Sequence, residues 1–405
     1  MSLVLHAPIH EEILRARGIT DRLFTQVLPE ALYDRPIPDR HRLIFYLGHL
    51  EAFDWNLVGK GHLGQHAVST ELDHLFAFGI DPPEGKLPSE RASEWPNPFV
   101  VRRYIADVRT RMDRYAREAP EALLRMALEH RLMHAETLTY LIHNLPYSRR
   151  LTRMRAARSE TSSPTEQYHR VHQGMATLGM SRGTEFGWDN EFDLQTQHVP
   201  EFAMSKYKVT NAQYLAFVSE GGPVPHYWIE RNGRWNYRGY DGEVSLPADF
   251  PVYVSYNNAA EYARWARKSL PTEAQFHRAA FGTPEGVERQ FSWGNSFPAA
   301  EHGNFDFRHF DLLPVTSSPS GDSAFGISQL IGNGWEWTSS AFAPFSGFVP
   351  DPAYPGYSAN FFDHEHHVAK GASCATDHGL LRRSFRNWFR DHYCYAYTTF
   401  RLVEN

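Results

Sequence analysis

The chain changes texture near residue 150, and that change limits it to two different architectures in series. Before it, segments 8–29, 40–60, 97–117 and 120–144 carry apolar residues at spacings of three and four, the recurrence that lines one face of an α-helix. Asp81-Pro82-Pro83 and Pro96-Asn97-Pro98 separate some of these segments, and proline is not tolerated inside a helix. Residues 1–150 are therefore expected to form an all-α bundle of about four helices. The stretch 148–166 is rich in Arg, Ser and Thr and poor in apolar residues, which places a linker at 151–169. From 170 to 405 the sequence is rich in glycine, aromatic residues and short strand-like pieces, with helical segments near 210–220 and 257–268. This is the pattern of an irregular, loop-rich α+β domain. No repeat of fixed period and no low-complexity tract occurs.

Composition excludes several functions. At 405 residues, 42% hydrophobic and 22% charged, the chain is long enough for two or three domains. A net charge of −6 without any Lys/Arg-rich block gives no electrostatic footprint for nucleic acid. The N-terminal residues lack a basic region followed by a long apolar stretch, and no run of apolar residues is long enough to span a bilayer. No membrane partner is expected, and the location is expected to be cytoplasmic. Two cysteines, Cys374 and Cys394, cannot build a disulfide framework, in keeping with a reducing compartment.

Chemistry first shows in Glu129-His130-Arg131-Leu132-Met133-His134. Positions i and i+4 of a helix share a face, with Cβ atoms roughly 5–6 Å apart, so His130 and His134 can converge on one metal ion. His49, in a second helical run, offers a third imidazole. Chance HxxxH spacings also arise in a chain with 22 histidines, and imidazole suits zinc, copper, iron and nickel alike. A second histidine group, Asp363-His364-Glu365-His366-His367, lies in a polar stretch and reads as a solvated loop.

The second half carries Ala176-Thr177-Leu178-Gly179, Tyr207-Lys208-Val209-Thr210-Asn211, Leu270-Pro271-Thr272-Glu273-Ala274-Gln275-Phe276, Gly332-Asn333-Gly334-Trp335-Glu336-Trp337-Thr338 and Phe400-Arg401-Leu402. In order, these resemble the signatures of the formylglycine-generating, sulfatase-modifying-factor domain, whose fold is C-type-lectin-like. Much of the motif set has a structural sense: Thr210 can cap the helix that follows, and Trp335 and Trp337 are large apolar anchors. A DinB-like four-helix bundle with one separate histidine and an HxxxH pair, joined to such a domain, resembles the ergothioneine-type sulfoxide synthases (EgtB class). The resemblance implies a mononuclear non-haem iron(II) oxygenase that uses O2 to join a thiol to the imidazole carbon of hercynine (N-α-trimethylhistidine). Its ligands carry over to His49, His130 and His134. Tyr354-Pro355-Gly356-Tyr357 matches the region supplying a proton-donating tyrosine, so Tyr354 and Tyr357 are the catalytic candidates, with Tyr104 of the bundle in reserve. Arg382-Arg383-Ser384-Phe385-Arg386-Asn387-Trp388-Phe389-Arg390 resembles the family's substrate-facing loop. Asn387 and Trp388 match positions beside the betaine, where an aromatic face attracts a quaternary ammonium, and Arg386 and Arg390 are candidate carboxylate clamps.

Two departures bear on substrate. Mycobacterial-type members carry Asp after Asn-Trp, where it helps hold γ-glutamylcysteine, and this chain has Phe389. Cysteine is therefore the expected sulfur donor. Those members have Gln before the last histidine, and this chain has Met133. The alternatives left open are a selenoneine synthase, a 5-histidylcysteine sulfoxide synthase, a DinB-type metal-dependent thiol transferase and a non-catalytic lectin-like binder. The 5-histidyl enzymes usually add a methyltransferase domain, for which this chain is expected to be too short. Formylglycine generation through two close cysteines fits poorly, because Cys374 and Cys394 are 20 residues apart.

Overall fold

A computed structural model describes residues 8–77, 90–151 and 162–404. The Asp81-Pro82-Pro83 break and residues 152–161 of the expected linker lie outside them. The chain divides into two compact units, 1–153 and 154–405.

The first unit is all-helical. Its described helices are α1 (Ile9–Phe24), α2 (Leu43–Asp54), α3 (Thr70–Leu75), α4 (Pro98–Tyr115) and α5 (Glu121–Asn144). α4 starts where Asn97 accepts a hydrogen bond from the Phe99 N–H with Pro98 in the first turn, a position where proline loses nothing. Its buried residues Val101, Tyr104, Val108 and Met112 repeat at three and four and make one apolar stripe. α2 and α5 are different. Every residue of α2 from Leu43 to Ala52 is buried, and α5 is buried around most of its circumference. A helix covered on all sides belongs at the centre of its bundle; α5 packs against α1 and α2, and α2 against α4. A π-helical segment, Trp55–His62, continues α2, and a Cβ at Gly59 would meet the Trp55 ring at 2.4 Å.

The second unit is α+β and built from small sheets. The first strands are β1 (Tyr168–Val171), β2 (Gly174–Leu178), β3 (Gln195–Val199) and β4 (Phe202–Ser205), followed by β5 (Trp228–Arg231), β6 (Arg234–Arg238) and β7 (Glu243–Ser245). After them come β8 (Trp335–Ala341), β9 (His366–Lys370), β10 (Asn387–Arg390), β11 (Thr398–Thr399) and β12 (Val403–Glu404). They form sheets of order β1-β4-β12, β2-β3, β5-β6-β7 and β10-β9-β8-β11. Helices α6 (Asn211–Ser219) and α7 (Tyr256–Trp265) coincide with the two expected segments, and Thr210 caps α6 as anticipated. A third helix, α8 (Glu273–Phe281), was not expected, although Thr272 and Gln275 form a reciprocal capping box at its start. Trp335 and Trp337 are buried, and Glu336 between them binds Lys208 and Arg401, all three fully enclosed.

One expectation is corrected. Only His364 and Glu365 of the second histidine group are exposed. His366 is buried at the start of β9 with Nδ1 paired to Asp363 at 2.9 Å, and His367 stacks on Tyr256 at 3.5 Å between centroids. Pairing of β9 with both β8 and β10 outweighs the polarity of the segment.

Candidate metal centre

His49 comes from α2 and His130 and His134 from α5, and the bundle brings the three imidazoles together. One ring nitrogen of each lies within 4.8 Å of the others, and all three side chains are buried. Nε2 of His130 and Nε2 of His134 are 3.2 Å apart; two imidazole nitrogens each about 2.0–2.1 Å from one divalent ion lie at about this separation. The Nδ1 of His49 is 2.7 Å from the Phe76 carbonyl oxygen. That oxygen only accepts, so Nδ1 carries the proton and Nε2 holds the lone pair. His49 Nε2 is buried without a hydrogen-bond partner, as a ligand atom without its ion would be. Ring orientation is fixed by stacking: Phe53 lies on His130 at 3.5 Å and 12°, and Phe45 on His49 at 4.7 Å and 19°.

Electrostatics favour the ligand form. Burial pushes His49 down to about 4. Burial first, and then the neighbouring imidazoles and cations, holds His130 and His134 well below the usual histidine range. All three are neutral at pH 7, the state that binds metal. Behind them a buried charge network ties the two ligand helices together: Arg131 of α5 reaches Glu51 at 2.8 Å and Asp54 at 2.7 Å on α2, plus the Leu50 carbonyl at 3.2 Å. Tyr104 is bound elsewhere, its hydroxyl donating to Asp73 at 2.9 Å. Met133 is half-buried beside His134.

The remaining candidates lie in the second unit. Tyr357 is buried, stacked on Trp188 at 3.9 Å and edge-on to Trp388 at 5.4 Å; Tyr354 lies 5.8 Å from Tyr357. Trp388 also stacks on Phe342 at 4.1 Å. Strand geometry divides the block 387–390, because successive side chains point to opposite faces. Trp388 and Arg390 share one face of β10. Asn387 and Phe389 take the other, where Phe389 meets Trp337 and Tyr393. The four residues therefore do not line one pocket from one side. Arg386 is not available as a carboxylate clamp. It is buried, with Nε and Nη2 on Glu273 at 3.0 and 3.1 Å and Nη1 on the carbonyls of Asn190 and Ala343. Arg390 is half-buried, with its Nε lacking a hydrogen-bond partner.

Sequence reading missed Glu273, Trp188 and Asp189. The Trp188-Asp189-Asn190-Glu191 run carries no local signal for the last two, since carboxylates are mostly exposed and are enclosed only where a partner is supplied, here Ser358 and Arg382 from far along the chain. A second acid and histidine grouping, Asp306, Asp377 and His378, is closed on itself: Asp306 bonds His378 Nδ1 and Arg308, each at 2.9 Å. Cys374 and Cys394 are both free thiols.

A helical unit enclosing three neutral histidines, followed by an α+β unit of small sheets, defines a metal-dependent enzyme class, and comparison with known proteins agrees. Residues 154–405 match the sulfatase-modifying factor enzyme 1-like domain. The chain is 31% identical over 322 residues to the hercynine oxygenase of Mycobacterium tuberculosis, covering 73% of this chain and 75% of that protein. It is 32% identical over 425 residues to the hercynine oxygenase of Mycolicibacterium thermoresistibile, covering 95% and 92%. It is 26% identical to ergothioneine biosynthesis protein 1 of Schizosaccharomyces pombe, covering 96% of this chain and 54% of that longer protein. The chain belongs to the hercynine oxygenase family. No described helix is long and apolar enough to cross a membrane.

Proposed function

We propose that this protein is a non-haem iron(II), O2-dependent sulfoxide synthase of ergothioneine biosynthesis, acting on hercynine and cysteine. The observation that carries the metal half of this reading is the convergence of His49, His130 and His134, buried and neutral, with the His49 Nε2 unpartnered. Three protein ligands leave about half of an octahedral ion open for substrates. When bound, iron(II) supplies the redox chemistry for O2 and lowers the pKa of a bound thiol. The overall change balances as one imidazole C–H, one S–H and one O2 giving one C–S(O) linkage and one water, so protons must be delivered and removed. In this reading Tyr357 is the proton donor, with Tyr354 beside it as the other candidate.

The face of β10 shared by Trp388 and Arg390 supports recognition of a betaine. An aromatic face attracts the trimethylammonium, and a guanidinium pairs with the carboxylate. Met133, adjacent to His134, is the contact proposed for the hercynine side. Phe389 offers no acceptor for a γ-glutamyl extension, which favours cysteine. Oxygen uptake measured with iron(II), hercynine and a panel of thiols tests the whole reading: uptake coupled to hercynine sulfoxide formation is expected with cysteine. Hercynine-independent uptake with every thiol would refute it. The 5-histidyl regiochemistry is separated by product NMR.

A further inference from the structure

We propose that Asp189 is the positioning residue of the second unit, fixing the backbone beside Tyr357 so that its phenol is held in one place; this rests on Tyr357 being the proton donor. The segment Trp188–Glu191, a single 3-10 turn between β2 and β3, reaches two distant parts of the chain at once. The Asp189 carboxylate accepts the Ser358 hydroxyl at Oδ1, and the Asp351 N–H approaches Oδ2 at 3.5 Å. Both ends of the loop that carries Tyr354 and Tyr357 are thus fastened to one carboxylate. The neighbouring Trp188 stacks on the Tyr357 ring. In the other direction, the Asn190 carbonyl accepts from Arg386, and Glu191 holds Arg382 at 2.8 Å and Ser384 at 2.7 Å, just before Trp388.

The two carboxylates of the turn differ in a way that separates fold from function. Glu191 is matched by the Arg382 guanidinium, which holds it below the usual carboxylate range despite burial. Asp189 is 4% exposed, yet its partners are a hydroxyl and backbone N–H groups, and burial raises its carboxyl above the usual range. A buried carboxylate without a cation is costly, and local rules are broken in this way mostly where a site needs it. What Asp189 secures is geometric. Ser358 is fully buried and next to Tyr357, so its hydroxyl bond fixes the main chain there, while Trp188 and Trp388 fix the ring plane. A displacement of about 1 Å at a reacting group lowers rate by about a hundredfold.

Ser358→Ala and Asp189→Asn test this in the iron-loaded protein, with 3-fluorotyrosine at position 357 as a second readout. The expected result is a kcat about 10–100-fold lower with KM and iron content unchanged. Product should shift from the sulfoxide toward oxidised thiol, as in Tyr357→Phe, and Ser358→Ala added to Tyr357→Phe should bring no further loss. Ser358→Thr, which keeps the hydroxyl, should restore both rate and product ratio. The 19F resonance of the substrate-free protein should move in Ser358→Ala and return in Ser358→Thr. A fall in activity that follows only a lower Tm, with product ratio and 19F shift unmoved, overturns the proposal. If Tyr357→Phe itself leaves rate and products unchanged, the proton-donor reading has failed. The 19F arm then decides the positioning role alone, and an unmoved resonance in Ser358→Ala overturns it.

Discussion

The Nδ1–H of His49 donates to the carbonyl of Phe76 across 2.7 Å, so a residue outside α2 decides which nitrogen of a candidate ligand faces the metal. Gly48 makes the approach possible, because a Cβ there would lie 2.5 Å from the Phe76 ring and Phe76 is fully buried with little room to retreat. Gly48→Ala should displace Phe76 and weaken this outer bond, lowering metal affinity about 10–100-fold with helix content retained. Metal titration followed by circular dichroism checks it; unchanged affinity would show that the carbonyl is dispensable.

Removal of a ligand should act more sharply. His134→Ala leaves two imidazoles and a cavity beside the ion, so the variant should neither retain stoichiometric iron after dialysis nor support O2 uptake. Full occupancy together with wild-type activity would remove His134 from the ligand set.

Acid sensitivity follows from a pair remote from the metal. Burial alone would raise Glu288, but the bond to His277 at 2.9 Å, the Thr177 N–H and Arg383 hold it down at about 2. A depressed carboxylate contributes stability that is present above its unfolded value, about 4.5, and lost as pH falls toward the folded value. His277, also lowered by burial, acts in the same direction: the unfolded chain takes up a proton below about 6.5 that the folded chain refuses. Stability should therefore decline from pH 6.5 toward the folded Glu288 value of about 2, and Glu288→Gln should flatten the part of that decline below about 4.5. Denaturant midpoints across this range test it, and parallel curves would contradict the assignment.

The four long bundle helices were legible because two of them bury one stripe, whose period is written in the sequence, and because HxxxH names its own geometry. α8 was not, since it is only nine residues long and its one local start signal is the Thr272–Gln275 capping box. The positions of Arg386 and Phe389 were equally hidden. Whether an arginine meets a substrate or Glu273, 113 residues away, depends on a tertiary contact that has no local signature. Likewise, alternation separates Phe389 from Trp388 only once the strand is known.

Sulfur-donor choice should follow Phe389. In place of a carboxylate stands a ring packed against Trp337 and Tyr393, and leaving the polar groups of a γ-glutamyl extension unpaired costs about 1–3 kcal/mol. The kcat/KM for cysteine should exceed that for γ-glutamylcysteine by about 5–150-fold on that basis. The reverse order would mean that another residue supplies the missing contact.

Tyr357 has the stronger claim of the two tyrosines to be the proton donor, because it is buried with Trp188 and Trp388 against its ring, while Tyr354 is half-buried. A general acid contributes about 10²–10⁴-fold, so Tyr357→Phe should slow sulfoxide formation by that order. Iron content and substrate binding should change little, since the phenol is in neither candidate set. Thiol oxidation needs no new C–S bond, so products should shift toward cysteine sulfinic acid when the proton is missing. Tyr354→Phe should be nearly silent by the same assays. Single-turnover product analysis distinguishes the cases, and wild-type rate and product ratio in both Phe variants would require another donor, with Tyr104 disfavoured by its bond to Asp73.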